Sequence, residues 1–95
     1  AAPKAAVAQP KPPAARTARL SFRDRHALET LPARIAGLGA EIARQNKLLA
    51  DPGLYARDPD GFARASAALA RAAADLRAAE DRWLELEVLR EALEQ

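Results

Sequence analysis

The sequence predicts an all-α fold: a two-stranded antiparallel coiled-coil hairpin with a short N-terminal helix packed at its base, preceded by a disordered tail. Three observations carry this. Apolar residues recur at alternating steps of three and four over two long stretches, which puts them on one side of a helix. Two Asp-Pro punctuations, Asp51-Pro52-Gly53 and Asp58-Pro59, lie between those stretches. Hydrophobic residues make up 49% of the chain, but many are Ala and only 4% of residues are aromatic. That balance suits long helices with a thin seam better than a globule with a thick core.

Residues 1–19 are drawn mainly from Ala, Pro, Lys, Arg and Gln, with Pro3, Pro10, Pro12 and Pro13 removing backbone donors. This stretch buries too little to offset its ordering entropy, so it is predicted to be a disordered basic Ala/Pro-rich linker. Residues 20–95 form the predicted hairpin domain. Ser21 is placed to cap its first helix, with Asp24 in the first turn, and Leu28 and Leu31 point inward. Pro32 cannot donate to Leu28, so a break or sharp bend is expected at residues 30–32, with Thr30 as a possible new cap.

The second helix carries Leu31, Ile35, Leu38, Ile42, Gln45 and Leu49 on one stripe, and Asp51-Pro52-Gly53 ends it. Asp58 then caps a last helix, with Pro59 in its first turn. Here the stripe runs through Phe62, Ala65, Leu69, Ala72, Leu76, Ala79, Trp83, Leu86, Arg90 and Leu93. The short connection forces the two helices antiparallel, and the Ala positions admit Leu or Ile from the opposite helix. Two registers fit, one setting Ile42 against Leu69 and the other against Ala72. Trp83, with Phe22, is expected where the short first helix folds over the base. Gln45, the polar member of the seam, argues for one register and for a monomer.

Composition excludes several functions. There is no cysteine, hence no disulfide framework, thiolate nucleophile or thiolate metal site. The lone His26 has no second histidine to share a metal, so no metal and no cofactor are expected. Glu80, Asp81, Glu85, Glu87, Glu91 and Glu94 form an acidic run on a rod that supplies no concave pocket, so they read as a solvated face and no catalytic residue is expected. No apolar run reaches the roughly twenty residues that span a bilayer, and no secretory h-region is present. A cytoplasmic chain without a membrane partner is the expectation, and the start at Ala1 reads as an excised fragment.

Charge is distributed unevenly. The net charge is +2, yet residues 21–95 hold eleven basic and thirteen acidic groups, so Lys4, Lys11, Arg16 and Arg19 of the tail account for the excess. Within the hairpin, Arg44, Lys47, Arg57, Arg64 and Arg71 lie on the half nearest the connection, while acids gather toward the C-terminus. These five, with the four tail residues, are the candidate phosphate contacts for DNA or ribosomal RNA. The competing expectation is ordinary surface pairing, Arg44 with Glu41, Arg71 with Asp75, Arg77 with Asp81 and Arg90 with Glu94.

Leu20-Ser-Phe-Arg-Asp24, Leu28-Glu-Thr-Leu-Pro32, Asp51-Pro-Gly-Leu-Tyr55, Asp58-Pro-Asp-Gly-Phe62 and Arg82-Trp-Leu-Glu-Leu-Glu87 occur in that order. Together they resemble the C-terminal domain of Uup-type ABC-F ATP-binding proteins over residues 20 to about 90. The resemblance implies a helical, nucleic-acid-binding appendage of a cytoplasmic, ribosome- and DNA-associated ATPase whose catalytic cassettes lie elsewhere. It implies architectural roles for Leu31, Pro32, Pro52, Tyr55, Phe62 and Trp83. Docking on the ATP-binding cassettes or on ribosomal proteins is the alternative role.

Overall fold

The computed structural model describes residues 20–94, which form three helices: α1, Phe22–Leu49; α2, Leu54–Arg57; and α3, Pro59–Leu93. Helix α1 and helix α3 pack along each other as an antiparallel pair, and α2 is a single turn at the connection. At 1.5 Å per residue the two long helices measure about 42 Å and about 52 Å. The all-α hairpin stands as expected; the linker predicted for residues 1–19 lies outside the described residues.

The helix boundaries follow local chemistry. Ser21 is extended, and its Oγ accepts from the Asp24 amide at 3.0 Å, satisfying one of the free donors of the first turn. At the connection, Asp51 Oδ1 accepts from the Gly53 amide at 2.9 Å, and the Leu54 amide donates back to the Asp51 carbonyl. Asp58 Oδ1 accepts from the Gly61 amide at 2.9 Å, with Pro59 opening α3 as predicted.

The expected break at residues 30–32 does not occur, and no separate short N-terminal helix exists among the described residues. Helix α1 runs through Pro32 without interruption. Pro32 is exposed, so its ring takes no place in the seam. Thr30 does not cap a new helix; its Oγ1 donates to the His26 and Ala27 carbonyls one turn back. Leu28, Leu31 and Ile35 are all half-buried, and one continuous helix keeps them on a single face against α3. Asp24 also reaches Arg82 on α3 at 3.1 Å, clamping the first turns of α1 to the base. Tertiary packing therefore outweighs the roughly 3 kcal/mol that an interior proline costs.

Because the first turns run straight on, Phe22 does not fold over the base. Its ring is 75% exposed and stacks on His26, with centroids 6.2 Å apart. Trp83 is half-buried in the seam.

The core is thin and periodic. Ala65, Ala72, Ala79 and Leu86 are the buried residues of α3, each seven after the last, whereas α1 contributes a half-buried stripe. Small residues at the deepest positions let the backbones approach closely. Ile42 shares a surface recess with Ala73, Leu76 and Arg77, and Leu28 shares one with Glu87 and Arg90. Across the seam, Arg34 of α1 reaches Asp75 of α3 and Asp24 reaches Arg82, which ties the two helices along their length. Gln45 is half-buried, but its Nε2 donates to Glu41 Oε2 on its own helix at 2.8 Å. The seam's polar residue therefore has a hydrogen-bond partner within its own helix.

Candidate nucleic-acid interface

The connection end of the hairpin brings the C-terminal turns of α1, the turn α2 and the N-terminal turns of α3 together. Leu54 is the buried anchor of α2 and holds the turn against α3. Leu48, Leu54, Asp58 and Arg64 line one recess, so Arg64 of α3 and the last turn of α1 sit on one side of the rod.

The five basic candidates of this end divide into two groups. Arg44 is engaged by Glu41 one turn earlier, as the surface-pairing expectation had it. Arg57 meets Asp51 at 2.7 Å. That ion pair holds the Asp51 carboxyl below its ordinary range, first through the Arg57 hydrogen bond and then through the Gly53 amide; it raises Arg57 reciprocally. Both groups are exposed, so the pair fixes the turn more than it stabilises the fold. Lys47, Arg64 and Arg71 are exposed and have no carboxylate partner among the described residues.

Arg71 departs from the pairing read in the sequence. Asp75 instead faces Arg34 across the seam at 3.9 Å. Arg77 likewise has no ion pair with Asp81 among the described residues, while Arg90 pairs with both Glu94 and Glu87. The Glu87 hydrogen bond, then Glu94, raises the Arg90 guanidinium above its ordinary value. Arg82 is shared between Asp24 and Glu85. Arg82 and Arg90 near the base are thus engaged by carboxylates, while Arg23 and Arg25 in the first turns of α1 and Arg77 further along α3 have no ion pair among the described residues; at the connection end Lys47, Arg64 and Arg71 are the cations without one. Asp58 is occupied in capping α3, and Asp60 sits in the same first turn, where the helix dipole favours an acid.

Lys4, Lys11, Arg16 and Arg19 lie outside the described residues, so nothing places them near this surface. Among the described residues no group of three His, Cys, Asp or Glu side chains is placed to hold a metal ion, and no helix is long and apolar enough to cross a membrane. His26 is exposed beside Phe22.

Sequence reasoning gave Tyr55 a purely architectural part, yet its side chain is 64% exposed at the tip, edge to face with Phe62 at 5.3 Å. A single helical turn can bury only one of the adjacent pair Leu54 and Tyr55. Leu54 takes the inward place, and that competition is the signal that would have found Tyr55 outside.

A model of the ABC transporter C-terminal domain matches residues 19–88. The chain is 55% identical over 93 residues to the ATP-binding protein Uup of Caulobacter vibrioides, a match covering 98% of this chain and 15% of that relative's length. No solved structure matches. The matched span holds all of α1, the capped turn, most of α3 and the cations Lys47, Arg64 and Arg71, and on it the chain belongs to the ABC transporter C-terminal domain family.

Proposed function

We propose that this hairpin is a non-catalytic nucleic-acid-binding module of a cytoplasmic, Uup-type ABC-F ATPase. It holds DNA or ribosomal RNA through phosphate contacts that are largely independent of sequence. The observation that carries this reading is the pair Arg64 and Arg71, exposed, seven residues apart on one face and without carboxylate partners among the described residues. Seven residues advance about 10.5 Å along a helix, close to three nucleotide steps of about 3.4 Å on one strand. Lys47 adds a third unpaired charge. Arg44 and Arg57 contribute after exchanging their carboxylates for phosphate, and the four tail cations add a sequence-independent attraction.

The test is a salt titration of binding to a fluorescent DNA duplex, on the whole chain and on a chain with Lys4, Lys11, Arg16 and Arg19 changed to Gln. Each phosphate neutralised on a duplex contributes a slope of about −0.9 in log affinity against log salt. The reading expects a steep slope that survives partly when the tail is neutral. Binding that vanishes with the tail charges would reduce the hairpin to a spacer.

A second reading has its own observation. Leu84 and Val88 are 57% and 59% exposed, one turn apart on the outer side of α3, among Asp81, Glu85 and Glu91. An exposed apolar pair on an acidic face suits a basic protein surface, such as the ATP-binding cassettes of the parent chain or a ribosomal protein. The two readings use opposite ends of the rod.

A further inference from the structure

We infer that the tip carries a base-stacking contact, Tyr55, which gives the hairpin a preference for unpaired nucleotides over intact duplex. The inference rests on the nucleic-acid reading above and names the form of nucleic acid that the same surface prefers.

Four features of Tyr55 support it. Its side chain is largely exposed although it sits directly after the buried Leu54, so the ring projects from an anchored turn. The turn is stiffened by the Arg57 to Asp51 pair and by the Gly53 amide on Asp51, which limits the orientations open to the ring. Phe62 meets Tyr55 with ring planes at 82°, an edge-on contact that buttresses the ring and leaves at least one of its faces open. Arg57 is two residues on, and Lys47 and Arg64 lie on the adjoining turns of α1 and α3, so the ring is set among cations able to hold the flanking phosphates.

The other aromatic rings do not offer this. Phe22 is exposed, but His26 stacks on it and the Arg25 guanidinium stands 6.0 Å from its centroid. Trp83 is half-buried in the seam. Base faces are covered in a duplex and available in a single strand, a loop or a frayed end. An aromatic platform therefore discriminates by strand state and not by sequence, and it adds about 1–3 kcal/mol per stacked base, roughly five- to 150-fold.

The experiment measures binding of the whole chain to a mixed-sequence single-stranded oligonucleotide and to the matching duplex across a salt series. Tyr55→Ala should weaken single-strand binding about tenfold and duplex binding less than twofold. The slope against salt should be unchanged, because stacking releases no counterions. Tyr55→Phe should bind as wild type. Tyr55→Leu, which keeps an apolar contact for Phe62, should behave like Tyr55→Ala, and far-UV circular dichroism on each variant establishes that the helices persist. Equal losses on both strand forms, a Tyr55→Leu chain that binds single strands normally, or a flattened salt slope would overturn the inference while leaving phosphate binding intact. If wild type binds neither form, the underlying reading falls together with it.

Discussion

Leu86→Ala is the substitution that most directly probes where the hairpin keeps its core. Leu86 is 1% exposed and is the one large side chain among the described residues that is fully enclosed. The change deletes three carbons, worth about 2.4 kcal/mol at about 0.8 kcal/mol each, and leaves a cavity. A two-helix seam collapses more readily than a layered core, so the cavity adds nearer 1 kcal/mol than 2, for a total of about 3 kcal/mol. A folding unit of about 75 residues has about 4–11 kcal/mol of stability in all, so the loss is a large fraction. Urea and thermal unfolding followed by far-UV circular dichroism and by Trp83 fluorescence should show a midpoint lowered by about 12–24 °C. Leu76→Ala, on the half-buried row, should cost about half as much. If Leu76→Ala cost as much as Leu86→Ala, the assignment of the deep row to Ala65, Ala72, Ala79 and Leu86 would be wrong.

Three further outcomes follow from local structure. A side chain at Gly37 or Gly39 would enter open space within α1, so the pair Gly37→Ala and Gly39→Ala should raise the stability of the hairpin by about 1–2 kcal/mol in the same melts. Asp58→Ala removes the cap of α3 and should cost about 1 kcal/mol; Gly61→Ala should cost a comparable amount, because an added methyl would meet the Asp58 carboxylate and dislodge it. Asp51 has its folded pKa depressed, so its contribution is present above the unfolded carboxylate value and is lost as pH falls through the folded one. The melting difference between wild type and Asp51→Asn should therefore be constant near neutrality and close as the pH drops below about 4.

Much of this architecture was legible because it depends on spacing. The steps from Leu31 to Leu49 and from Phe62 to Leu93 fix which side of each helix is apolar, and Asp58-Pro59 carries its capping geometry in its residue types. What escaped depends on the partner helix. Pro32 satisfies every local rule for a break, but the three apolar residues around it gain more by staying in line against α3. Phe22 followed from that error, since a base closed by a folded-back helix needs the break. Asp75 chose Arg34 over Arg71 because of how the two helices are aligned, which the sequence leaves open between two registers. That choice matters for function, since it leaves Arg71 without a carboxylate. Tyr55 was hidden for a related reason: only the seating of Leu54 in the turn decides which of the two residues faces out.

The division between engaged and unpaired cations is the centre of this account, and one comparison tests it. Duplex binding is titrated against salt for a chain carrying Lys47→Ala, Arg64→Ala and Arg71→Ala and for one carrying Arg44→Ala and Arg57→Ala. The unpaired set should lose between two and three units of salt slope, about one per phosphate contact. The carboxylate-engaged set should lose less than one, because each of those arginines gives up an existing partner to reach phosphate. Equal losses per residue, or a slope untouched by the triple change, would contradict the assignment of the connection end as the phosphate-binding surface.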